Sequence, residues 1–208
     1  MMVLGMCSRW CILAVIASAC LHAQVIDFES NGLHYKTLTK GGVTVMFAHL
    51  TAQVKDYAIV QVTISNGSPI AWVVRPEDFT FEKNDGITLH ATPALTVVNS
   101  FIHKAGRHDV IKLVATYEAS LYGNTKMQSN NGYEIRRQNA LAEVSSAKLK
   151  AAAAASAICL VPVKLAPGQT TDGAVFFESA GKPLGTGHLL LHAAGETFDF
   201  ESGDEPRF

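Results

Sequence analysis

The chain has 208 residues, 48% of them hydrophobic, with 17 Lys and Arg against 18 Asp and Glu. That is enough to bury one domain core, and a near-neutral balance without a polybasic cluster argues against nucleic acid and anionic lipid as partners. Of four cysteines only Cys159 lies well inside the body of the chain, so no internal disulfide is available and the fold must stand on apolar packing.

Arg9 closes a short, weakly basic opening segment, and Cys11 to Ala19 is an unbroken run of apolar and small residues. A run this short is a signal-peptide core, since a membrane span needs about 20 apolar residues. Residues 1–23 therefore read as a signal peptide and 24–208 as a single exported domain, periplasmic or secreted, with no transmembrane span in the mature chain. Ala17-Ser18-Ala19 is an A-x-A site and Ala23 a second cleavage point. With Cys20 the first of these sites is also a degenerate lipobox, Ala17-Ser18-Ala19-Cys20, that would make Cys20 an acylated first residue. Ala17 stands where leucine is usual, so soluble export is preferred and a membrane-anchored lipoprotein is the alternative. Removing Arg9 leaves 16 basic residues against 18 acidic ones.

From Leu33 to Ala91 the period is two. Val43, Val45 and Phe47 alternate with Thr44, Met46 and Ala48, and Ala58, Val60, Val62 and Ile64 alternate with Ile59, Gln61 and Thr63. These are strands, the second ending at Asn66-Gly67-Ser68-Pro69. Trp72 and Val74 share a face of a short strand that Arg75-Pro76 ends. Asn84-Asp85-Gly86 between two alternating runs predicts a hairpin, because Asp and Gly tolerate the turn geometry. Short antiparallel strands at this spacing predict a β-sandwich.

The period then changes. Val110, Leu113, Val114, Tyr117 and Leu121 form one stripe of a helix that Gly123 can end. Whether Ser100 to His108 joins it is open, because Gly106 intervenes. A polar loop over Asn124 to Gly132 leads to a second predicted helix from about Tyr133 to Ala157. Its Ala151 to Ala155 run has high helix propensity and lets another backbone approach closely. Together these predict a helical hairpin inserted at about 100–157. Strands return over Ile158 to Leu165, Ala174 to Phe177, His188 to His192 and Thr197 to Phe200, with the tail from Glu201 expected to fray.

The segments Val62-x-Ile64-x-Asn66-Gly67-Ser68 and Trp72-x-Val74-Arg75-Pro76-Glu77-Asp78-Phe79, followed by the Asp85-Gly86 hairpin, resemble the immunoglobulin-like extracellular domains of many bacterial envelope proteins. Leu165 to Gln169 with Gly173 to Glu178 is similar to a late hairpin of those domains. The resemblance implies an immunoglobulin-like antiparallel β-sandwich in an envelope setting. It carries over no catalytic residue, and the helical insertion departs from the simple domain.

No nucleophile elbow, zincin helix, Cys-x-x-Cys pair, phosphate loop or EF-hand is present, so neither a cofactor nor a catalytic residue is assigned. His188 and His192, with His90, are the metal candidates, but four strand residues span about 13 Å and solvent-facing histidines are the preferred reading. His103 and His108 with Asp109 form a second cluster, preferably a capped helix start. Glu77, Asp78 and Asp85 could approach a calcium ion, and are more simply solvated turn residues. Cys159 reads as a buried small hydrophobe. The leading binding candidates are Tyr117, Tyr122, Tyr133, Arg136 and Arg137, because aromatic and Arg clusters anchor interfaces. The competing and preferred reading has Glu134 or Glu143 neutralising the arginines while the tyrosines close helix seams. The expectation is a non-enzymatic envelope module that binds another envelope protein or serves structurally. The alternative is a periplasmic hydrolase or metal-binding protein whose histidines and carboxylates converge only in the fold.

Overall fold

The computed structural model describes residues 24–30, 33–123, 132–142, 144–193 and 195–203. Residues 1–23, read above as a signal peptide and including Cys20, the Asn124 to Gly132 loop apart from Gly132, and Glu143 lie outside the described residues. The strands are β1 (Ile26–Ser30), β2 (Leu33–Lys40), β3 (Val43–Val54), β4 (Tyr57–Asn66), β5 (Trp72–Val74), β6 (Phe79–Lys83), β7 (Thr88–Thr92), β8 (Val163–Leu165), β9 (Thr170–Glu178), β10 (Gly187–Ala193) and β11 (Glu196–Ser202). Between β7 and β8 come helices α1 (Ala94–Lys104), α2 (Arg107–Gly123), α3 (Tyr133–Ala142) and α4 (Ala147–Ile158).

The architecture is mainly antiparallel β. Nine strands make one sheet in the order β1-β2-β3-β4-β9-β7-β6-β10-β11, with β5 and β8 as a separate two-stranded ribbon. The sheet curls until β11 lies beside β2. There Lys36 Nζ donates to the Glu201 carbonyl and Lys40 Nζ to the Thr197 carbonyl, each at 2.5 Å. Residues expected to fray therefore belong to a strand as far as Ser202.

Alternation sorts the apolar residues into two layers. On β4, Ala58, Val60, Val62 and Ile64 face the inside of the curl, while Tyr57 and Ile59 face the helices. On β9, Val175 and Phe177 point in and Ala174 and Phe176 point out. Because both faces are covered, every residue of β4 except Ser65 is buried. Rings from opposite parts of the sheet meet inside: Phe47 lies 4.9 Å from Phe200, and Phe81 lies 6.3 Å from Phe177. Each such buried ring stabilises the fold by about 1.5–3 kcal/mol.

The end of β4 is fixed by Asn66. Its carboxamide oxygen accepts from the Ser68 amide and hydroxyl at 3.0 and 2.6 Å, and its amide donates to the Ile70 and Leu165 carbonyls at 2.8 and 3.0 Å. The Asn-x-Ser turn thereby ties the sheet to the β5–β8 ribbon. The Asp85-Gly86 hairpin also forms, with Gly86 at φ +85° and the Ile87 amide donating to Asp85.

The helical insertion differs from the hairpin expected. It spans Ala94 to Ile158 and contains four helices among the described residues. The extra helix α1 has Val97 and Phe101 buried one turn apart, and Pro93 stands at its N-cap without any side-chain cap. The predicted second helix is two, because Ser146 caps α4 by accepting the Leu149 amide at 3.2 Å. The alanine run lies at the centre: α1, α2 and α3 all pack on α4, whose Ala151, Ala152, Ala154, Ala155 and Ala157 are buried. Small side chains let three helices crowd a fourth.

The chain returns from this layer at Cys159, whose side chain lies among the helices, and Leu160, whose side chain lies in the curl. The Leu160 amide donates to the Ala174 carbonyl at 2.9 Å. The crossing passes over Gly173, where an added Cβ would stand 2.6 Å from Leu160 Cα. Only glycine leaves room for that backbone approach.

Candidate functional site: the tyrosine and arginine seam

The helix stripe read from the sequence is the face α2 presents to the sheet. Leu113 and Tyr117 are buried, and Val110, Val114 and Leu121 pack beside them. The Tyr117 ring lies 5.0 Å from that of Tyr133, the first residue of α3. Its hydroxyl donates to Asp172 Oδ2 at 2.7 Å. Asp172, on the helix-facing side of β9, is itself 3% exposed. Burial pushes the Tyr117 phenol well above its ordinary range; the Asp172 charge and hydrogen bond push the same way, as does Tyr133, while Arg136 opposes them. Tyr117 is thus held protonated as a donor to one oxygen of the buried Asp172 side chain.

The arginines bind neighbouring helices. Arg136 Nη2 donates to the Ala157 carbonyl at 3.1 Å, placing a guanidinium where the α4 dipole is negative. Arg137 Nε lies 3.0 Å from Glu118 Oε1, and the Tyr133 hydroxyl donates to the same oxygen at 3.3 Å. The carboxylate that meets Arg137 is therefore Glu118, next to Tyr117 on α2. Four of the five sequence-predicted residues come together in one seam joining α2, α3, α4 and β9. Tyr122 lies on the last turn of α2, and its side chain is outside the described residues. Glu118 and Asp172 were missed; the available signal for Asp172 was a carboxylate on a strand face otherwise carrying Ala174 and Phe176.

The other candidates scatter. His188 Nδ1 pairs with Asp199 at 2.7 Å and His192 Nδ1 with Thr197 at 3.1 Å, both across the β10–β11 ladder. His90 sits opposite Thr80, on the other side of β6 from β10. Asp78 accepts the Arg75 amide at 2.8 Å. Asp109 accepts the Gly106 amide at 2.7 Å and meets Lys55 Nζ at 3.3 Å, tying the start of α2 to the β3–β4 turn. His103 and His108 are exposed. Among the described residues no three His, Cys, Asp or Glu side chains group closely enough to hold a metal ion. Cys159 is buried, and burial pushes its thiol up to about 12.

A further titratable group, not singled out from the sequence, is His49. It continues the inward series Val43, Val45, Phe47 on β3, and its Nε2 lies 2.9 Å from Ser202 Oγ on β11. Phe47 and Phe81 make T-shaped contacts with it at centroid distances of 5.3 and 6.2 Å.

No protein-family model, curated protein or solved structure matches this chain.

Proposed function

We propose that this chain is an exported cell-envelope protein that acts as a binding or structural module rather than by catalysis. The observation that carries the reading is the use made of its reactive side chains. Tyr117 and Asp172 are sealed against each other, and Arg136, Arg137 and Glu118 clamp helices. The carboxylates of Asp78, Asp85 and Asp109 close turns and helix starts. In this reading residues 24–208 form one domain, a curled variant of the immunoglobulin-like sandwich, following a leader of residues 1–23. Facing parts of the sheet sharing one apolar core support the sandwich comparison.

The helical layer is the surface that meets another envelope protein. Each of its helices holds a large apolar residue out to solvent: Leu95, Ile111, Ile135 and Leu149. The Tyr117, Tyr133, Arg136 and Arg137 seam fixes the positions of the helices that carry three of them. The test is intact mass of the protein purified from its own envelope fraction, followed by crosslinking of wild type and an Ile111→Glu, Ile135→Glu variant. A mass beginning at Gln24 or at an unmodified Cys20 marks soluble export; an acylated Cys20 marks the lipoprotein form. A crosslinked partner lost in the variant supports binding through the helices. A mass retaining residues 1–23, or crosslinks unchanged in the variant, overturns the export or the surface assignment respectively.

A further inference from the structure

We infer that the seam between β2 and β11 is an acid-released latch, with His49 as the group that opens it. The two strands run antiparallel side by side, yet share no backbone ladder; they are the places where the curled sheet meets itself. Side chains hold the seam instead. On the face that carries Leu38, Val43 and Phe47, Lys36 and Lys40 donate to carbonyls of β11, and His49 meets Ser202, the last residue of that strand. Of the side chains holding the seam, the histidine is the one that acid acts on.

The surroundings of His49 favour the neutral ring. Phe47 and Phe81 pack against it, and the charge bearing on it is the Lys36 ammonium, on the same face of the sheet. Asp27 of β1 is taken up by that same lysine at 3.6 Å, and His34, on the same face of β2 as Lys36, stands opposite Glu29 of β1. Glu82 on β6 and Glu201 on β11 alternate away from the inward-facing Phe81 and Ser202, to exposed positions. A proton on the ring therefore places a cation in an apolar corner beside another cation. The partly buried ring becomes fully hydrated if β11 swings from β2 while keeping its seven-residue ladder to β10.

Burial, and to a lesser degree Lys36, lowers the His49 imidazole from 6.5 to about 4 in the closed form. The closed form binds the proton less readily, so its advantage is complete above about pH 6.5 and falls as the pH drops toward 4. At pH 5 the equilibrium is displaced about 30-fold toward opening relative to pH 8.

The test places a thiol inside the curl with Val45→Cys and follows its labelling by a reagent active at both pH values, corrected for thiolate fraction. The native Cys159, buried in the helical layer, is the internal control. Opening predicts an approximately 30-fold rise in labelling of the introduced thiol at pH 5, little change at Cys159, and loss of the rise on adding His49→Gln. No rise, an equal rise at both thiols, or a rise that survives His49→Gln overturns the latch. Should His49→Gln fail to fold, the ring-proton titration of His49 in the wild-type protein decides: a midpoint below 5 supports the proposal, and one of 6 or above overturns it.

Discussion

The two apolar layers on either side of β4 and β9 are built by different rules. Inside the curl the residues are Val, Ile, Leu and Phe, contributed by nearly every strand, with rings meeting across the sheet. Between sheet and helices seven alanines and three tyrosines join the Leu, Val, Ile and Phe side chains, and a buried carboxylate is carried along with them. The first layer gains stability from the amount of apolar surface it hides. The second gains close approach, since alanines bring backbones together at the cost of little area, and polar atoms then have to be matched one by one. A layer filled by volume tolerates exchange of one hydrophobe for another. One held by specific contacts fixes where each helix sits.

Substitutions in each layer put that difference to work. The largest loss should come from Phe200→Ala, which empties the ring site against Phe47 and should lower the free energy of unfolding by about 4 kcal/mol in urea denaturation. Gly173→Ala acts where the layers join: its Cβ would lie 2.6 Å from Leu160 Cα and 2.7 Å from Leu160 N, so backbone must move. A loss of about 3 kcal/mol is expected by the same measurement. An unchanged midpoint would mean that the crossing strand has room the distances deny it. In the helical layer, Tyr117→Phe keeps the ring and removes the donor to Asp172, for an expected loss of about 2 kcal/mol. Adding Asp172→Asn should recover part of that loss, because a neutral amide is cheaper to bury than a carboxylate. If Tyr117→Phe were neutral, the helical layer would be held by volume as the curl is, and the contrast would collapse.

The two layers were also unequally legible. Period-two alternation exposed the strands of the curl because each buries one face against a common interior, and the Asp85-Gly86 turn and Asn66 stop marked their ends. The stripe of α2 was equally plain, since Val110, Leu113, Val114, Tyr117 and Leu121 all meet the layer beneath. Helix α1 was hidden: only Val97 and Phe101 are deeply buried, and Val97 and Val98 are β-branched. The break before α4 hung on one capping serine. For the seam, residue type singled out Tyr117, Tyr133, Arg136 and Arg137, whereas their partners Glu118 and Asp172 required knowing which elements become neighbours. Asp172 is 55 residues from Tyr117 in the chain. His49 and Ser202, separated by 153 positions, were beyond any local pattern.

The insertion leaves and re-enters the sheet at almost the same place. Thr92, at the end of β7, pairs with Phe176, and Cys159 bridges to Ala174, two positions along the same strand. Two strand residues span about 7 Å. The sixty-odd intervening residues are thus topologically a single long loop hung from one point of β9, and a short turn could bridge the gap without reordering a strand. Such geometry is what lets a segment be gained, exchanged or lost as a unit over evolutionary time. The sheet is nonetheless matched to the helices it carries: Ile59 and Phe176 offer apolar side chains on the face that the helices shelter. A trimmed descendant would first have to repaint that face with polar residues to stay in solution.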